Sequence, residues 1–150
     1  ELITQFYDGF SSGDSEGMTA CYHKDVVFED PAFGTLKGKK AKAMWEMLLS
    51  KKEESKLTIS FKIINDQEVQ WTAKYLFGSS KRPITNKVNA KFKFQDGKII
   101  QHVDHFSLWK WSRQALGLIG LLLGWSMFIQ KKVQKTANKL LDQHLIAEKP

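Results

Sequence analysis

The sequence predicts an α+β domain in which three helices precede a four-strand antiparallel meander and cover its one apolar face. Two observations carry this. The apolar residues of the first fifty positions recur at helical spacing, whereas those from Leu57 onward alternate strictly with polar ones. Turn-forming residues then break the alternating part into hairpin-sized runs, Asp96-Gly97 being the strongest signal.

The elements follow in order. Leu2, Ile3, Phe6 and Phe10 mark the first helix, and Ser11-Ser12-Gly13-Asp14 stops it and caps the next. Met18, Cys21 and Tyr22 suit the buried side of a short second helix. Asp25 to Asp30 reads as a strand ended by Pro31, and Gly34 to Gly38 as a turn or very short strand. Lys39 to Lys52 forms the third helix, with Ala43, Met44, Met47 and Leu48 inward and Trp45 at the rim. Leu57 to Ile63, Val69 to Phe77, Val88 to Phe94 and Lys98 to about Trp109 are the four strands, with a longer loop at Gly78 to Pro83. Residues 115–129 carry no charge and three glycines. They are too few to span a bilayer of ~30 Å as a helix. They are expected to pack on their own domain or on a partner subunit, with a membrane-surface segment as the alternative. Val133, Ala137, Leu140, Leu141 and Leu145 mark a final amphipathic helix.

The totals bound the class. A length of 150 residues with 42% hydrophobic and 26% charged content fits one folded domain. Its 5 Trp, 3 Tyr and 10 Phe are enough to line an apolar pocket as well as fill a core. The single Cys21 excludes an internal disulfide framework and fits a reducing compartment, so a cytoplasmic location is expected. No signal peptide is visible, and the chain starts at Glu1 without a methionine, as a trimmed product would. Net charge is +7, but the excess is spread apart from the C-terminal region. The stripe of Lys131, Lys132, Lys135 and Lys139 reads as a solvated helix face, and no nucleic-acid partner is expected.

Three ionisable residues stand where core residues should be. By strand alternation Val26, Phe28 and Asp30 share one face, and Ile100, His102, Asp104, Phe106 and Leu108 share another. An ionisable group on an apolar face is costly unless paired, hydrated or neutralised. The two segments therefore point to a cavity with a polar floor. His105 faces away by the same alternation, and His23 reads as a surface loop residue. A metal site built from His102, Asp104 and Asp30 is conceivable on ligand type alone.

The order of elements resembles the nuclear transport factor 2-like fold, the cystatin-like α+β cone. Phe6-Tyr7-Asp8-Gly9-Phe10-Ser11-Ser12-Gly13-Asp14, with Tyr22 through Pro31, resembles the opening of ketosteroid isomerases and SnoaL-like polyketide cyclases. Residues 3–109 fit this pattern, which implies a domain over 1–112 and an apolar C-terminal extension over 113–150. The resemblance places Asp30 at the isomerase's general base. It places Phe6 and Ala90 where the isomerase's two oxyanion donors stand, so ketosteroid isomerisation itself is not expected. Asp104-His105-Phe106 with Arg113-Gln114-Ala115-Leu116-Gly117 is similar to the SnoaL-like cyclases. That similarity implies Asp104 as the acid/base, with His102 assisting. The implied ligand is a small, mostly apolar, carbonyl-bearing molecule, contacted by Phe6, Phe10, Tyr22, Trp45, Trp71, Tyr75, Ala90, Phe92 and Phe106. No cofactor or metal is expected. The resemblance also implies a homodimer through the outer sheet face of Thr72, Lys74, Asn89, Gln101, Val103 and His105. The alternative is a non-catalytic ligand-binding or protein-interaction module of the same fold.

Overall fold

A computed structural model describes residues 1–148. Helices α1 (Leu2–Ser12) and α2 (Ser15–Ala20) lead into strands β1 (Tyr22–Asp30) and β2 (Gly34–Lys37). Helices α3 (Lys39–Ser50) and α4 (Lys52–Ser55) follow, then β3 (Thr58–Asn65), β4 (Glu68–Phe77), β5 (Arg82–Gln95) and β6 (Lys98–His105). The chain closes with α5 (Leu108–Leu116), α6 (Leu118–Leu123) and α7 (Met127–Ala147). One curved, unclosed sheet runs β2-β1-β6-β5-β4-β3. Its pairs are antiparallel except β1 with β6, which run parallel because the chain crosses over between them. The expected meander is therefore β3 to β6, with β2 and β1 added at its far edge.

The concave face holds the core. Val69, Trp71 and Ala73 of β4 and Val88, Ala90 and Phe92 of β5 face inward at strand alternation. Ile3, Phe6, Tyr7 and Phe10 of α1 and Ala41, Met44 and Trp45 of α3 lie over them. Asp14 accepts the Gly17 amide and caps α2, as its position predicts.

Several boundaries differ from the sequence reading. Tyr22 opens β1 instead of ending α2, so His23 is a strand residue beside Asp25 and Asp96. Trp45 is buried at the centre of α3's inner face and not at its rim. Leu49 takes the inward place assigned to Leu48, which is exposed. β5 starts at Arg82, because Ile84 already faces the core and the Gln114 side chain bonds both the amide and the carbonyl of Thr85. β6 ends at His105, because Ser107 caps α5 by accepting the Lys110 amide; Leu108 is then buried as a helix residue. A bulge at Ile100 shifts the β5–β6 register, so Ile99 takes the inward place expected of Ile100.

The C-terminal extension divides its work. α5 packs along β5, and α6 folds back on α5. α7 returns across α3, with Leu141 fully buried and Ala137 and Leu145 against the core, while Leu140 faces out. Residues 115–129 do not lie over the mouth of the cone. α7 does, through hydrogen bonds from Gln134 to the Pro31 carbonyl (3.1 Å) and from Asn138 to the Phe33 carbonyl (2.9 Å). No described helix is long and apolar enough to cross a membrane.

Candidate functional site

Strand pairing builds the site. His102 of β6 sits between Phe28 of β1 and Phe92 of β5, its direct cross-strand partners, and Asp104 sits opposite Ala90. The small Ala90 leaves room beside Asp104 for the Trp71 indole, which reaches across from β4. The bulge at Ile100 lies before His102, so His102 and Asp104 keep their common inward face.

The buried polar groups form one chain. Trp45 Nε1–H donates to the Tyr22 hydroxyl at 2.7 Å. That hydroxyl lies 2.7 Å from His102 Nδ1, and His102 Nε2 lies 2.9 Å from Asp104 Oδ1. Trp71 Nε1–H donates to the same Asp104 oxygen at 3.3 Å. An indole can only donate. With Tyr22 giving its own proton to Nδ1, Nε2–H points to Asp104. In this assignment every proton in the chain has an acceptor.

Aromatic rings enclose the imidazole. Phe92, Phe28, Phe6 and Trp45 lie with ring centroids 4.4, 5.1, 5.4 and 5.8 Å from that of His102, and Trp45 stacks nearly parallel to it. These are packing distances. His102 and Asp104 share the inward face foreseen from the sequence, but around His102 aromatic side chains occupy the space where an open cavity was expected. Two shallow surface depressions lie elsewhere, along α1 and α2 and beside Ile63 and Phe94.

Asp30 stands apart, at the end of β1, partly exposed beneath the Pro31–Phe33 turn. Its carboxylate accepts the Phe33 amide. Burial pushes its pKa up to about 7; hydrogen bonds from the Phe33 and Ala32 amides oppose the rise, and the Asp104 charge adds to it. The structure thus brings His102 and Asp104 into direct contact and links Asp30 to them through charge alone.

The other residues foreseen as ligand contacts divide. Phe6, Phe10, Tyr22, Trp45, Trp71, Ala90 and Phe92 are all buried around this chain of hydrogen bonds. Tyr75 is turned toward α5, where its hydroxyl accepts Trp111 Nε1–H at 2.7 Å, and Phe106 is only partly buried beyond the end of β6. His105 is exposed, as alternation requires.

Tyr7 is the residue the sequence reading missed. Its ring stacks on Phe61 and packs on Trp71, and its hydroxyl is buried without a hydrogen-bond partner. Burial, then the Asp104 charge, holds its pKa well above the ordinary phenol value, so it remains a proton donor. The signal was present, since Ile3, Phe6, Tyr7 and Phe10 make one helical face. For a metal, the described residues offer a different trio: ligating atoms of Glu46, His144 and Glu148 lie within 4.8 Å of one another where α3 meets the end of α7.

Comparison with known proteins gives this architecture its class. The SnoaL-like domain family matches residues 3–102, so the chain belongs to that family. Among solved structures, a candidate polyketide cyclase from Silicibacter sp. is similar at 18% identity and a TM-score of 0.60, over 76% of this chain and 92% of its own. Another from Xanthomonas campestris pv. campestris is similar at 19% and 0.58, over 75% and 93%. A protein of ketosteroid isomerase-like fold from Catenulispora acidiphila, in complex with trimethylamine, is similar at 14% and 0.56, over 77% and 92%. No curated protein matches the sequence.

Proposed function

We propose that the protein binds a small, mostly apolar, carbonyl-bearing molecule at the Asp30 end of the cone and moves a proton on it, in the manner of an isomerase or cyclase. The observation that carries this reading is the Asp30 carboxyl, partly exposed at the end of β1 and raised to about 7 by burial. A group with that pKa passes between base and acid near neutral pH, which proton transfer on carbon requires. Asp104 has a different part. Held by His102 and Trp71 and only 3% exposed, it supplies charge and orientation from within. Tyr7 is a further buried protonated hydroxyl without an acceptor. The structural neighbours include candidate polyketide cyclases.

The alternative, a binding or interaction module without chemistry, has its own support in the rings packed on His102. Incubating the protein in heavy water with cyclic ketones and polyketide-like diketones separates the two. Exchange at the carbon next to the carbonyl, followed by proton NMR, is expected to rise with pH through about 7 and to vanish in Asp30→Asn. Absence of exchange across the panel, or equal exchange in the variant, overturns the catalytic reading.

A further inference from the structure

The segment from α6 into α7 inverts the usual rule for a water-soluble helix. Its small residues face the protein and its large apolar residues face out. A Cβ on Gly120 would fall on the Ser112 carbonyl of α5, and one on Gly124 on the Gly120 carbonyl and the Ser112 side chain. The glycines thus let α6 press its backbone against α5. Leu118, Ile119, Leu122, Trp125, Met127 and Phe128 are each 60–70% exposed. Six large side chains within eleven consecutive positions form a contiguous apolar surface of the size that marks an interaction site.

Charge identifies what this surface meets. Between Asp104 and Asp142 the sequence contains no Asp or Glu, while Lys110, Arg113, Lys131, Lys132, Lys135 and Lys139 are all present and all exposed. Lys131 and Lys132 follow Phe128 by three and four residues, so they lie on its side of α7. Arg113 lies over the Trp109 ring at 4.9 Å on α5. A second copy docking here would bring two sets of six cations together with no acid among them. An apolar layer bordered by anions satisfies both features at once.

We propose that the α6–α7 corner docks on the surface of an anionic lipid membrane. Leu118, Leu122, Trp125 and Phe128 enter the headgroup boundary, and the surrounding lysines and arginine face the lipid phosphates and carboxylates. The element lies on the membrane without crossing it, since no described helix is long and apolar enough to span. Basic residues beside a shallow apolar insertion add to the affinity for anionic lipid, and salt weakens that part.

The test is co-sedimentation of the full chain with vesicles of phosphatidylcholine, with and without phosphatidylserine. The expected result is uptake by the phosphatidylserine vesicles, reduced roughly fivefold for each of Lys131→Ala and Lys132→Ala. Uptake should be lost in Leu122→Asp and Phe128→Asp, whose exposed positions leave the fold unchanged by circular dichroism. A blue shift of tryptophan emission on binding, absent in Trp125→Ser, would place Trp125 in the boundary. No uptake overturns the proposal. So does a discrete dimer in solution that Leu122→Asp dissociates while vesicles take up nothing, which would make the surface a contact between copies. Equal uptake by pure phosphatidylcholine overturns the assignment of anionic lipid.

Discussion

Replacing Asp30 with asparagine isolates the free-energy consequence of burying its carboxyl. The folded protein holds this proton to about 7, whereas the unfolded chain releases it near 3.8. A carboxyl whose pKa is raised on folding contributes nothing to the pH dependence below the unfolded value. It costs stability progressively as pH rises through the window between the two values, and the cost is constant above the folded value. The span of 7 − 3.8 = 3.2 units, at 1.36 kcal/mol each, sets a full cost of roughly 4 kcal/mol. About a third of it has accrued by pH 5 and all of it by pH 8. Asparagine keeps an oxygen for the Phe33 amide and carries no titratable proton. The stability of Asp30→Asn relative to the parent should therefore grow by roughly 3 kcal/mol between pH 5 and pH 8. Urea denaturation of both proteins at the two pH values measures this, and titrating groups not coupled to Asp30 cancel in the difference. If the difference were the same at both, Asp30 would be an ordinary solvated carboxylate, and its assignment as the proton-transfer group would fall with it.

Tyr22→Phe removes the hydroxyl shared by Trp45 and His102 and leaves two buried polar groups unpaired, so denaturation should show a loss of roughly 2–4 kcal/mol. Leu141→Ala empties a fully buried site between α7 and the core and should cost roughly 2–5 kcal/mol, with faster amide exchange along α7. We propose that the outer sheet face of Thr72, Lys74, Asn89, Gln101, Val103 and His105 forms a homodimer. Light scattering should give a dimer mass at micromolar concentration and a monomer mass for Val103→Arg; a monomer mass for the parent removes that proposal.

The strands were legible because alternation is a strong signal wherever one face is buried. His102 and Asp104 were legible for the same reason, and their reading survived a register shift only because the bulge falls at Ile100; between them, it would have sent one to each face. The end of β6 was not legible. Phe106 and Leu108 continue its period, and only the Ser107 cap shows that a helix has begun. Nor was the filling of the interior, since composition counts the aromatic rings without telling a lined cavity from a packed one. Residues 115–129 were legible only in part: the segment does pack on its own domain, α6 against α5, but with its large side chains outward. Hydropathy expects such a stretch to be covered, but whether the glycines or the leucines turn inward depends on how closely α6 approaches α5.

The direction taken by α7 joins two parts of the molecule that the sequence keeps far apart. Phe128, near its start, is exposed, whereas Gln134 and Asn138 bond the turn that carries Phe33 and covers Asp30. From Phe128 to Asn138 is ten residues of one continuous helix, about 15 Å. A helix of that length transmits displacement as a rigid element, and α7 is held by the buried Ile129, next to Phe128, and by the buried Leu141. A surface that grips Phe128 therefore acts on the helix that closes the mouth of the cone. As long as α7 stays helical, Phe128 does not move independently of the two side chains that hold the Pro31–Phe33 turn. The apolar corner and the candidate site are thus joined through one helix, α7.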